Sequence, residues 1–523
     1  MGPGWVVAMA YVGPTSLEAA MQSGAYTDFD LVGVLVLSLL SGFFFQALAA
    51  RLGTVTGQNL AQVCTSEYPR TVSFVLWLMA EIAIIGSDVQ EILGSALALH
   101  ILTGIPLWAG CIGVAFATFA FLSLHAFGLR YIEVFVCVLL LTMGMCFFVD
   151  FGLTKTDWAD IAGGIFPLIT DFNAHQAVLT LGTAIVPHNL FLHSALVAAR
   201  TPDRRRHAAV QEASIYAALD LGAALGAVFL IHVAIMGLFA DAFYSAPCSV
   251  LPDQSACLPP ATALTADAPI YNFYSLAPCL MLNHSVGDDC PRCPMGRTQL
   301  YGYCQPLPLA ETGSALGNTL GTAAGQAWAI ALLAAGQAST LTATYAGQFI
   351  MEGFVQLRLA PWKRAAFTRV IALFPAVLVA VAAIDRQVHG AATFGAWLHV
   401  VQSLQLPLAL VPLVSFTAAP RIMGRSFVAG ERTRTAAAVL AAALCGLNWY
   451  GVGSAFATVV WTPLRCLATP APLPTARRSY VALAGAAVYG CVLVYIGILA
   501  PWCRASLPPA NDMCDALLPT EEA

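Results

Sequence analysis

The apolar run 175–199 is long enough to cross a bilayer, yet Pro187 stands in its middle with His188 and Asn189 beside it. A proline removes an amide hydrogen and clashes with the preceding turn, so the helix breaks there, and hydrocarbon cannot satisfy the freed backbone groups. Such a break persists only where protein buries it or where it lines a cavity. A second interruption, Gly13-Pro14-Thr15-Ser16, falls inside the first apolar run. Two broken helices at corresponding places in two halves of a polytopic chain point to a solute site between the breaks, the arrangement of secondary transporters.

Of 523 residues, 59% are hydrophobic and 10% charged, where a soluble domain carries about a quarter charged residues. Apolar runs of about 20 residues recur from end to end. The chain reads as an all-α integral membrane protein of twelve spans, at about 4–25, 30–50, 71–100, 107–126, 131–151, 175–199, 212–242, 318–352, 366–384, 394–416, 435–459 and 478–501. The net charge of −5 says less than the places of the few basic residues. Arg200 to His207, Arg358 to Arg369 and Arg421 to Arg434 cluster between apolar runs and mark the cytoplasmic side. One orientation then satisfies every loop and puts both termini in the cytoplasm, in a plasma membrane or endomembrane. No basic n-region of a signal peptide precedes the first span, whose abrupt start leaves room for a missing N-terminal tail. No nucleophile and base arrangement, cofactor motif or nucleic-acid signature is visible, so an enzyme is not expected; the partners expected are lipid, a small ion and protons, for a monomer.

Residues 243–316 differ in character. They hold Cys248, Cys257, Cys279, Cys290, Cys293 and Cys304 and the sequon Asn283-His284-Ser285. Six cysteines in one polar loop read as a disulfide framework in an oxidising compartment, and the sequon supports glycosylation on the same side. Cys290-Pro291-Arg292-Cys293 is the alternative, half of a zinc site, but the loop offers no second pair with matching spacing.

Span three carries Glu81, Asp88 and Glu91, whose offsets of seven and three put them on one helical face. A carboxylate at the bilayer centre costs about 2.5–3.5 kcal/mol, so this face is expected to point into the bundle. A proton relay is one reading; neutralisation by Arg369 or His188 is the other. His188, directly after the helix-breaking Pro187, is the better functional candidate, and His193 reads as structural. The small and hydroxyl residues from Gly336 to Gln348 suit close helix packing.

These stretches resemble the natural resistance-associated macrophage protein (NRAMP) transporters, proton-coupled carriers of divalent metals. Pro187 to Val197 is similar to their sixth-helix signature, Gly336-Gln337-Ala338-Ser339-Thr340 to Met351-Glu352-Gly353-Phe354 to the eighth, and Leu404-Gln405-Leu406-Pro407 to the tenth. Glu81 to Gly94 fits the third helix, and Gly2 to Tyr11 the opening. The resemblance implies a broken-helix fold of two inverted five-helix repeats. Residues 1–242 would hold spans one to seven, with the first repeat at 1–151 and the second from 175; 243–316 would be the extracytoplasmic loop, 317–501 spans eight to twelve, and 502–523 a short cytoplasmic tail. It also implies a proton route through Asp88, Glu91, His188 and Arg369.

The metal site departs from the family. Its first-helix Asp-Pro-Gly-Asn has Gly13 and Ser16 at the two ligand positions, with Thr15 between them and Pro14 retained. Val186 replaces the sixth-helix methionine, His399 the tenth-helix glutamine, and Thr183 stands where an alanine carbonyl usually contributes. With the first-helix carboxylate gone and two half-helix N-termini left, a small anion such as bicarbonate is narrowly expected over a divalent metal (Mg²⁺, Mn²⁺ or Fe²⁺) or a non-transporting receptor. Thr15 with Glu18 three residues on reads alternatively as a capping box.

Overall fold

The computed structural model describes residues 2–122, 129–156, 158–166, 169–170, 173–183, 185–200, 202–249, 255–258, 292–294, 301–356, 361–382 and 390–467, without the side chains of some of these, Thr183 and His399 among them. Span 1 is broken as its proline predicts: Pro3–Ala8 (span 1a) continues into a 3-10 turn, Met9–Val12, Gly13 is extended, and Pro14–Thr27 (span 1b) resumes the helix. Span 6 is likewise split into Ala174–Thr183 (6a) and Pro187–Ala198 (6b). Between and after them run span 2 (Val32–Thr56), span 3 (Arg70–Thr103), span 4 (Leu107–Leu122), span 5 (Leu129–Gly152), span 7 (His207–Phe243), span 8 (Thr322–Phe354), span 9 (Pro361–Ala382), span 10 (Gly390–Thr417) and span 11 (Glu431–Leu467). The twelfth expected span, 478–501, lies outside the described residues. Among the described residues five helices, with the two halves of span 6 taken together as Ala174–Ala198, are long and apolar enough to cross a membrane, six if Leu404–Thr417 and Pro420–Phe427, bent by 51°, count as one.

Span 8 begins later than expected. Gly321, at φ +104°, ends the separate helix Leu309–Leu320 and opens span 8, so the expected start at 318 joins two helices across a glycine turn.

The two halves of span 1 sit inside the bundle. Span 1a packs on spans 7 and 6b, and span 1b on spans 7 and 6a; span 8 runs along span 3. In hydrocarbon, helices associate through close packing and interhelical hydrogen bonds, which small residues permit. A methyl group on Gly94 of span 3 would come within 2.8 Å of the Pro14 ring, and one on Gly4 within 2.6 Å of the Leu221 backbone. The fully buried Trp328 of span 8 packs against Phe147 and Phe239, with ring centroids 5.5 and 5.1 Å apart. The outer surface carries Leu40, Phe74, Phe116, Leu141, Met145 and Phe374, the apolar face a bilayer requires.

Part of the cysteine-rich loop forms a small antiparallel sheet in which Tyr301–Gln305 lies between Ala256–Leu258 and Arg292–Pro294. Cys248 is joined to Cys304 and Cys257 to Cys293, which favours the disulfide reading over half a zinc site for Cys293. Cys279, Cys290 and the sequon at Asn283 lie outside the described residues. The chain leaving the sheet is fastened to span 1b. Tyr26 Oη accepts from Leu307 N at 2.8 Å, Glu18 Oε1 accepts from Leu309 N at 3.3 Å, and Gln22 Nε2 donates to Leu307 O at 3.3 Å. Non-reducing digestion and mass spectrometry should link the peptides holding Cys248 and Cys304, and those holding Cys257 and Cys293. Cys257→Ser should cost the loop about 2–4 kcal/mol, read as earlier loop proteolysis.

Candidate substrate site at the helix breaks

Gly13 takes φ −64° and ψ 166°, so the chain leaves the 3-10 turn extended and re-enters a helix at Pro14. Pro187 opens span 6b in the same way after Val186 at φ −84° and ψ 117°. No side chain caps either half-helix. The alternative reading of Thr15 and Glu18 as a capping box therefore fails, since Gly13 is the residue at the cap. Thr15 Oγ1 donates instead to Gln90 Oε1 of span 3 at 3.4 Å, and Glu18 is drawn toward Gln22 and Leu309. Gln402 Nε2 of span 10 donates to the same Gln90 oxygen at 2.9 Å, tying spans 1b, 3 and 10 together at the break.

Ser16 is buried and lines a small cavity with Tyr11, Thr180 and His232. Val186 is half-buried. Thr183 ends span 6a, and His399 lies within span 10.

The acidic face of span 3 does point inward, with Glu81, Asp88 and Glu91 all buried. Asp88 and Arg369 are each 1% exposed, with Arg369 Nη2 3.4 Å from Asp88 Oδ1. The same nitrogen donates to Thr340 O and Thr344 Oγ1, both at 3.1 Å, so span 8 holds the guanidinium on the span 9 side of the pair. Glu91 is held differently. Ser87 Oγ and Ser339 Oγ both donate to its Oε1, at 2.9 and 2.6 Å, while Oε2 has no partner among the described residues. His188 is buried, and its Nδ1 has no partner among the described residues. His193 Nδ1 meets Gln46 Oε1 at 3.1 Å, tying span 6b to span 2.

Gln90, Ser87 and Gln402 were not among the residues expected at the site. Ser87 stands one turn before Glu91, and Gln402 one turn after His399, so both share the faces already singled out. Their amide and hydroxyl side chains gave no charge signal to set them apart from packing residues.

Two interrupted helices packed within one bundle, with a buried ion pair and an acid beside the first break, define a broken-helix membrane transporter. Residues 4–259 and 305–454 match the family described as natural resistance-associated macrophage protein-like, and the chain belongs to that family. It is 38% identical to the metal transporter nramp1 homolog of Dictyostelium discoideum, over 82% of this chain and 69% of that one. It is 37% identical to natural resistance-associated macrophage protein 2 of Homo sapiens, over 86% and 74%. The crystal structure of a variant of the Eremococcus coleocola manganese transporter superposes with a TM-score of 0.75 at 25% identity, covering 96% of this chain and 94% of that one. The protein is an integral membrane transporter, not an enzyme.

Proposed function

We propose that the protein carries a hard divalent cation, Mg²⁺ or Mn²⁺, coupled to protons. The observation that carries this reading is the charge balance beside the break. Asp88 and Glu91 are both buried, and Arg369, the cation beside them, lies 3.4 Å from Asp88. When both acids are ionised the remaining charge is negative, which attracts a cation and opposes bicarbonate. The two half-helix N-termini, each equivalent to about half a positive charge, together do no more than offset that remaining carboxylate, so no surplus positive charge is left to hold an anion, whereas the carboxylate oxygens can ligate a cation directly. The anion expected from the sequence is therefore set aside for the divalent metal. The names of the relatives, metal transporter and manganese transporter, agree with that choice.

The donors near the break are oxygens of hydroxyls, carboxamides, carbonyls and a carboxylate, and Val186 has no thioether. Oxygen ligands suit Mg²⁺ and Mn²⁺, and the missing sulfur disfavours softer ions. Protons pass by Asp88, Glu91 and His188, with Arg369 holding Asp88 in place. Proteoliposomes with a pH-sensitive dye inside should show lumenal acidification during Mg²⁺ or Mn²⁺ uptake. In Asp88→Asn, cation uptake should no longer acidify the lumen. Bicarbonate uptake without any cation flux would overturn the reading.

A further inference from the structure

Gly13 stands where the family resemblance places a ligand aspartate, and the break of span 1 has no carboxylate of its own. The surroundings of Gly13 show where one comes from. A Cβ built on Gly13 would lie 3.1 Å from Ser339 Oγ of span 8 and 3.5 Å from its Cβ. That same hydroxyl donates to Glu91 Oε1 at 2.6 Å. A single hydroxyl therefore separates the bare backbone of the break from a carboxylate on span 3. One turn further along span 3, Gly94 is pressed against the Pro14 ring, so this helix is held against the break on both sides of the contact.

Glu91 is also the acid with coordination capacity to spare. Asp88 has the Arg369 guanidinium beside it, whereas both hydroxyl donors to Glu91 fall on Oε1. Oε2 is left without a partner among the described residues, on a side chain that is 3% exposed. A buried acceptor left empty is costly, and a cation satisfies it. Both carboxamide atoms of Gln337, two residues before Ser339 and 5% exposed, are likewise without partners among the described residues.

We infer that Glu91, oriented by Ser339 and Ser87, supplies the carboxylate ligand of the transported cation, replacing from span 3 the charge that Gly13 lacks. This rests on the divalent-cation reading. Ser339 and Ser87 act as positioning residues by holding Oε1, which leaves Oε2 to the ion. The glycine at 13 belongs to the same arrangement, because a side chain there would push against the hydroxyl that orients Glu91.

The test is Mn²⁺ binding to the purified full chain, by calorimetry and by the electron paramagnetic resonance signal of bound Mn²⁺, with size-exclusion profiles as the folding control. Glu91→Gln should weaken binding about 100-fold or more, since it removes the charge of the proposed carboxylate ligand. Ser339→Ala, which leaves Glu91 in place but loosens it, should weaken binding about tenfold. Gly13→Asp combined with Glu91→Gln and Ser339→Ala moves the carboxylate to span 1 and makes room for it. That triple variant should regain most of the affinity lost in Glu91→Gln. Wild-type affinity in Glu91→Gln overturns the inference and leaves the cation reading standing. If Glu91→Gln fails to fold, wild-type affinity in Ser339→Ala with none in the triple variant overturns it equally. If the wild type binds neither Mn²⁺ nor Mg²⁺ and carries only bicarbonate, the cation reading falls and takes the inference with it.

Discussion

Arg369→Leu should leave little folded protein, with a loss of about 3–5 kcal/mol, the cost of stranding one partner of a buried ion pair. Arg369 and Asp88 are each 1% exposed, so no water relieves the carboxylate once the guanidinium is gone. The change also strands the Thr340 carbonyl and the Thr344 hydroxyl that Arg369 Nη2 now serves. Adding Asp88→Asn should recover much of the folded protein, because the stranded charge disappears with it, yet leave transport uncoupled from protons. Thermal unfolding of detergent-purified variants checks the first statement and the liposome dye assay the second. A single Arg369→Leu variant as stable as the wild type would mean that the pair does not hold spans 3, 8 and 9 together.

Gly24→Val is expected to be nearly as damaging, for a reason unrelated to charge. A Cβ at Gly24 would run into the Met236 carbonyl oxygen of span 7, with the Met236 Cα and carbonyl carbon at 2.9 Å. Backbone cannot rotate away as a side-chain tip can, so the helices must part, at a cost of about 3 kcal/mol, the upper part of the overpacking range. Span 1b would then tilt, and the break at Gly13 with it. Gly226→Ala, also on span 7, is the control. A methyl there meets nothing within 4 Å, and helix propensity should stabilise the protein by up to about 1 kcal/mol. Equal melting of the two variants would show that spans 1b and 7 are not in backbone contact.

The breaks at Gly13 and Pro187 were legible because proline acts on its own helix, through a missing hydrogen and a steric clash that need no knowledge of neighbours. The inward face of span 3 was legible for a similar reason, since three acids at helical spacing have nowhere else to go in a bilayer. Gly321 was not read as a helix boundary, because glycine is common in membrane helices and only its positive φ distinguishes this one. The anion was preferred from the sequence because the broken helix itself carries no carboxylate, and the relatives support the divalent-metal alternative better. That Ser339 lies between Gly13 and Glu91 depends on how spans 1, 3 and 8 cross, and no local pattern encodes a crossing. The pairing of Cys257 with Cys293 was equally out of reach, because spacing leaves the connectivities open.

The bonds from Glu18, Gln22 and Tyr26 to Leu307 and Leu309 bear on how this protein can change over generations. A large loop on a transporter looks like a cassette, free to lengthen, shuffle or be swapped for a cousin's. This one is stitched to the half-helix that begins at the break of span 1, so a chimera carrying a foreign loop would inherit mismatched stitches at Leu307 and Leu309. Drift in the loop's last residues and drift in span 1b are therefore linked, and the two stretches should travel together in any recombinant that still works.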